Sequence, residues 1–210
     1  MTTDAPAPTT TTSTVTSPTT SPTTSPTTTS PALGLAAGPA TGAPARATGE
    51  RADHAPEHTP RLNWSAHAPE VYKAMLRLDA AARKGLDPKL LELVKIRASQ
   101  LNRCALCVDM HSKDALAAGE SVERIVQLSA WEESGHFYTE QELAALALTE
   151  AVTVLTEGFV PDAVYARAAE HFDEPALAQL IAAITVINAW NRFGVTCRLV
   201  PGHYRPGQHR

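Results

Sequence analysis

In the stretch RCALCVDMHSKDA, Arg103 to Ala115, two cysteines stand three residues apart and a histidine follows four residues later, in a chain with only one other cysteine. Thiols beside an imidazole can do redox or nucleophilic chemistry once one of them ionises. On a helix turning 100° per residue, Cys104, Cys107 and His111 share a wedge of roughly 60° and face inward together. Asp109 and Lys113 lie nearly opposite, as an exposed i,i+4 pair. With Asn102 as N-cap, Cys104 falls in the first turn and Cys107 just beyond it, where unpaired amides and the helix dipole favour a thiolate. An i,i+3 pair has β-carbons roughly 5–6 Å apart, more than the ~3.8 Å of a relaxed disulfide. A Cys104–Cys107 bond therefore requires adjustment of the first turn and should be easily reduced, which suits a cycling disulfide. Glu92, in LLELVKI, is the remaining candidate. If the chain reverses near Asn102, Glu92 lies about ten residues (~15 Å) before the turn and His111 at similar depth after it, so a carboxylate there can orient the imidazole or relay its proton.

The elements that carry these residues read as helices. From Leu62 onward the chain is rich in Ala, Leu, Glu and Arg, with apolar positions recurring at three and four rather than two. Asp87 caps a helix with Pro88 at its first position, and Gly119 closes the helix bearing the cysteines. Thr139 and Glu142 have capping-box spacing, Gly158 stops that helix, Pro161 starts the next, and Asp173 opens a long final one. The spacing predicts helices near 68–83, 88–101, 104–118, 122–131, 140–156, 161–171 and 174–194, an all-α class with a single helical domain over 61–210.

Residues 1–60 differ sharply. They are Thr, Ser, Pro, Ala and Gly, with TSPTTSPTTSPTTTSP at their centre. So little apolar surface cannot offset ordering entropy, and a disordered low-complexity tail is expected. It has no basic start followed by an apolar run, so a cytoplasmic location is expected. The apolar stretch Ala176–Trp190 is shorter than a membrane span and is interrupted by Gln179, Thr185 and Asn188, which makes it a core helix. A net charge of −4 with no basic cluster gives nucleic acid no electrostatic footprint.

The segment ELVKIRASQLNRCALCVDMHSKDALAAGE resembles the core motif of the alkyl hydroperoxidase D-like proteins of the carboxymuconolactone decarboxylase superfamily: Glu, eleven residues, CxxC, three residues, His. Glu92, Cys104, Cys107 and His111 all match, and similarity extends through WEES, FYTEQELAALALTEAVT and INAWNR over most of 61–200. The resemblance implies an all-helical homo-oligomer of two, three or six subunits with thiol-dependent peroxidase activity and no cofactor. By that resemblance Cys107 attacks the hydroperoxide, Cys104 resolves the sulfenic acid, His111 is the proton partner and Glu92 the relay acid. A thioredoxin-like, lipoyl or low-molecular-weight thiol then reduces the disulfide. The dipole argument alone favours Cys104 as attacker, so the assignment of Cys107 comes from the resemblance and its nearness to His111. Alkyl hydroperoxidase D has a second histidine just before the second cysteine; here that position is Leu106, which shortens the relay.

Two other readings are carried forward: a decarboxylase like the superfamily's namesake, which works without the CxxC, and a non-catalytic oligomeric protein whose thiols sense oxidation. A zinc site as a rule needs four ligands, and Cys104, Cys107 and His111 have no second CxxC or HxxxH nearby. His54, His58, His67 and His136 read as exposed, Cys197 as a packed thiol, and Trp190, Asn191 and Arg192 as packing or subunit contacts.

Overall fold

The computed structural model describes residues 59–207, so the expected disordered tail lies outside the described residues. Those described are helical, with no strand among them: α1 Trp64–His67, α2 Pro69–Ala82, α3 Pro88–Leu101, α4 Ala105–Ala117, α5 Val122–Gln127, α6 Glu140–Thr153, α7 Asp162–His171 and α8 Glu174–Thr196. Local chemistry sets the starts. The Asp87 and Asp173 carboxylates accept the amides of Leu90 and Ala176, each just ahead of a proline in the first turn, and Thr139 with Glu142 completes a capping box.

Helix α3 is the axis of the fold and packs against α4, α6 and α8. Leu90 and Val94 meet Leu148 of α6 and Leu180 and Ile184 of α8. Leu93 and Ile96 face Ala115, Leu128, Trp131 and Leu146, while Leu91 meets Ala82, Ala183 and Val186. Every residue from Leu90 to Ile96 is buried. A helix enclosed on all sides cannot send a polar side chain to water, so Glu92, Lys95 and Ser99 must find partners inside.

Several details differ from the pattern read off the sequence. The short α1 precedes the first expected helix, the fifth helix narrows to a 3₁₀ turn over Leu128–Ala130, and α6 ends at Thr153 because Val154 leaves helical geometry. Asn102 is not an N-cap but the C-cap of α3. Arg103 adopts a left-handed φ of 56°, and the amides of Arg103 and Cys104 bond the carbonyls of Gln100 and Ser99. This double bond is the Schellman closure usually built on glycine. The wide apolar circumference of α8 is occupied by the chain's own α2, α3, α4, α6 and α7. The Asp109–Lys113 pair is half-buried rather than exposed, because the segment after α8 returns across α4: Lys113 Nζ reaches the Tyr204 carbonyl at 3.2 Å and Gly202 N–H donates to Asp109 at 2.9 Å.

Candidate active site

Because Arg103 turns the chain within one residue, Cys104 itself becomes the N-cap of α4, in extended conformation (φ −87°, ψ 94°), and Cys107 takes the third helical position. This is the adjustment that lets the pair meet: the Cα atoms are 5.4 Å apart and the two sulfurs form a disulfide. It also places both sulfurs at the N-terminus of α4, Cys104 at the cap and Cys107 within the first turn, where the helix dipole favours a thiolate.

One turn further along α4, His111 is buried with its Nδ1 2.8 Å from Glu92 Oε2. With Nδ1 held by a carboxylate, that nitrogen carries the proton, which leaves Nε2 as the acceptor. Burial pushes the Glu92 carboxyl up, but the hydrogen bond and charge of His111, with the charges of Lys95 and Arg83, more than offset it and hold it below the usual carboxylate value. The four expected residues are thus brought to one place, by α3 and α4 alone.

Cys107, His111 and Gly194 line a cavity of about 580 Å³ whose wall includes Trp64, Tyr72, Trp190 and Phe193. The rings are interlocked: Trp64 stacks on Phe193 at 3.9 Å and lies edge-on to Tyr72 at 5.4 Å. Cys104 does not line the cavity itself and lies behind its wall, against Gly194. A β-carbon on Gly194 would sit 2.6 Å from the Cys104 sulfur and 3.5 Å from that of Cys107, so only glycine fits here. Sequence reasoning missed Gly194 and the aromatic wall; the one available signal was a glycine interrupting an otherwise strong helix. Leu106 lines the same cavity, at the position where a second histidine stands in alkyl hydroperoxidase D. A second cleft of about 600 Å³, between the end of α6 and α8, carries neither thiol nor imidazole.

Glu92, His111 and Asp114 could each offer one donor within 4.8 Å of the others. Glu92 and His111 are hydrogen-bonded to each other, Asp114 separately accepts from the Tyr204 hydroxyl at 2.8 Å, and the cations Lys95 and Arg83 act on Glu92. Burial, then the hydrogen bond to Asp114, raises the Tyr204 phenol to about 12, so it stays a donor. Of the other candidates, His67 and His136 are exposed and Cys197 is a buried free thiol. His54 and His58 lie outside the described residues. Asn191 is fully buried and ties α8 to α3, donating to Ser99 Oγ at 3.0 Å and accepting from Asn102 at 2.9 Å, while Arg192 donates to Asn102 at 2.8 Å.

An all-helical domain with a buried carboxylate–imidazole pair beside a CxxC defines a class of thiol-active proteins, and comparison with known proteins narrows it. Residues 69–151 match the model of the carboxymuconolactone decarboxylase family. The chain is 40% identical to the uncharacterized protein YdfG of Bacillus subtilis, over 64% of this chain and 92% of that one. It is 33% identical to the alkyl hydroperoxide reductase AhpD of Coxiella burnetii over a shorter stretch, 27% of this chain and 34% of that one. A solved structure from Agrobacterium tumefaciens, of a protein of unknown function provisionally assigned to AhpD-type antioxidant defence, is 37% identical and superposes with a TM-score of 0.67, covering 70% of this chain and all of that one. The chain belongs to the carboxymuconolactone decarboxylase family, among its alkyl hydroperoxidase D-like members.

Proposed function

We propose that this protein is a thiol-dependent peroxidase that reduces hydroperoxides through the Cys104–Cys107 pair. The observation that supports this reading best is that Cys107 and His111 open on one cavity while Cys104, bonded to Cys107, does not reach it. In the reduced protein His111 Nε2 takes the Cys107 proton, and the thiolate attacks the outer peroxide oxygen. The O–O bond breaks, Cys107 becomes a sulfenic acid, and the alkoxide leaves with the proton returned by His111. The Cys104 thiol then displaces hydroxide from that sulfur, water departs, and a disulfide forms. A dithiol or two monothiols of the thioredoxin-like, lipoyl or low-molecular-weight class restore the pair with two electrons and two protons. Glu92 keeps the imidazole in the tautomer this sequence needs.

Mass spectrometry after one equivalent of hydroperoxide tests the scheme. Cys107→Ser should form no sulfenic acid, because a serine hydroxyl is not appreciably ionised at neutral pH, and Cys104→Ser should hold it on Cys107. Sulfenic acid on Cys104 in the Cys107→Ser protein would reverse the roles. Stoichiometric oxidation without turnover in the presence of all three thiol classes would favour a redox sensor. The same proposal takes residues 61–210 as the working unit, a homo-oligomer in which the exposed Val71, Leu76 and Leu78 of α2 offer apolar surface. A monomer in sedimentation at micromolar concentration would contradict the assembly.

A further inference from the structure

One buried group on α3 has no part in that scheme. Lys95 is 1% exposed, and its Nζ finds no hydrogen-bond acceptor among the described residues. The Asp79 Oδ1 atom lies 3.6 Å away, beyond hydrogen-bond reach, and the other Asp79 oxygen is taken by Arg83 Nε at 2.7 Å. A methionine would fill this space without desolvating a charge, so packing does not account for a lysine. The lysine stands one turn after Glu92 on the same enclosed helix, next to the carboxylate that bonds His111.

The charges here nearly balance: Asp79 and Glu92 against Lys95 and Arg83. Removing Lys95 would leave one negative charge in excess beneath the thiol. Burial by itself drives a carboxyl to hold its proton, and a protonated Glu92 would donate to His111 Nδ1. The imidazole would then keep its own proton on Nε2 and could no longer accept one from Cys107. We propose that Lys95 is a positioning residue of the redox site, whose buried charge keeps Glu92 ionised and His111 in the tautomer that ionises Cys107. The inference rests on the assignment of Cys107 as the reactive thiol.

Asp79 and Arg83 come from α2 and Glu92 from α3 itself: burial pulls the Lys95 ammonium below its usual value, the Asp79 and Glu92 carboxylates push it back up, and Arg83 adds to the lowering. His111 and Asp114 of α4, with Tyr204 from the C-terminal segment, line a cleft together with Glu92 and Arg83. Glu150 of α6 is engaged by Arg97, and Arg192 of α8 by Asn102.

The test is the pH dependence of Cys107 alkylation by iodoacetamide in the full-length, reduced Cys104→Ser protein, with the modified residue located by mass spectrometry. Lys95→Met should raise the apparent thiolate pKa by roughly one unit, read as about tenfold slower alkylation below it. Lys95→Gln should behave the same, and it replaces the methionine variant if that fails to fold. Lys95→Arg should recover most of the rate. Nitrogen-15 NMR of His111 in the protein with Lys95 intact should find the proton on Nδ1 at neutral pH. An unshifted pKa in a folded neutral variant, or a proton on Nε2 with Lys95 present, would overturn the proposal. Alkylation needs no peroxide, so a protein with a Lys95-dependent thiolate but no peroxide turnover would fell the peroxidase reading alone.

Discussion

The two flanks of α3 put the same helix to opposite uses. On one, Leu90, Leu93, Val94 and Ile96 pack into clusters of hydrophobic side chains from α4, α6, α7, α8 and the turns after α5. On the other, Glu92 and Ser99 are equally buried yet hydrogen-bonded to His111 of α4 and Asn191 of α8, while Lys95 has only the Asp79 carboxylate of α2 at 3.6 Å. The apolar flank gains stability from burial in proportion to area. The polar flank gains little net stability and is exposed to large penalties whenever one partner is lost. The first flank holds the second rigid, and the second does chemistry.

The sharpest way to separate the flanks is to damage each and measure both stability and reactivity. His111→Ala on the polar side should slow peroxide reduction by roughly 10²–10⁴-fold, the usual worth of a positioned proton-transfer group, with Glu92→Gln slower by less or a comparable factor. Leu93→Ala on the apolar side should cost about 2–5 kcal/mol in denaturant unfolding and leave the Cys107 thiolate pKa unmoved. A matching pKa shift in that protein would mean that the two flanks are not separable.

A smaller effect is expected at the contact between α8 and the sulfurs. Gly194→Ala adds a methyl 2.6 Å from the Cys104 sulfur. The dithiol form can swing that sulfur aside more readily than the disulfide can. Equilibration against a glutathione buffer should therefore shift about tenfold or more toward dithiol, roughly 30 mV. An unchanged potential would show that α8 yields to the methyl.

Smaller still is the turn that sets the site. Arg103→Gly relieves the left-handed φ of 56°, and after the entropy glycine adds to the unfolded chain about 0.5–1 kcal/mol of stabilisation should remain, read as a melting-temperature rise of a few degrees. The smallest effect concerns acid. The Glu92 pKa lies below its unfolded value, so the unfolded chain binds more protons in that window and stability falls as pH drops from about 4.5 toward the folded pKa. Glu92→Gln should show a shallower loss in melting temperature over that range.

How much of this was legible in the chain depends on the distance over which each feature is decided. Asp87, Thr139 with Glu142, and Asp173 announce helix starts because a cap bonds an amide three residues away, and the structure has those bonds. The shared inward face of Cys107 and His111 follows from helical repeat alone, whereas Cys104, extended ahead of α4, is buried by the turn at Arg103. Even local reasoning failed at Asn102, because a left-handed arginine closes α3 where a glycine would have signalled the stop.

The set of helices and the face each turns inward are therefore encoded locally, since hydrogen bonds and side-chain spacing within a few residues decide both. Packing between helices is what bonds Glu92 to His111, seals Lys95 beside them, lays Gly194 against the sulfurs and brings Trp64, Tyr72, Trp190 and Phe193 to the cavity that Cys107 lines. Glu92 and His111 are 19 positions apart, Cys104 and Gly194 are 90, and Trp64 and Phe193 are 129. Charge and steric fit between such residues depend on how helices pack, which no local spacing encodes.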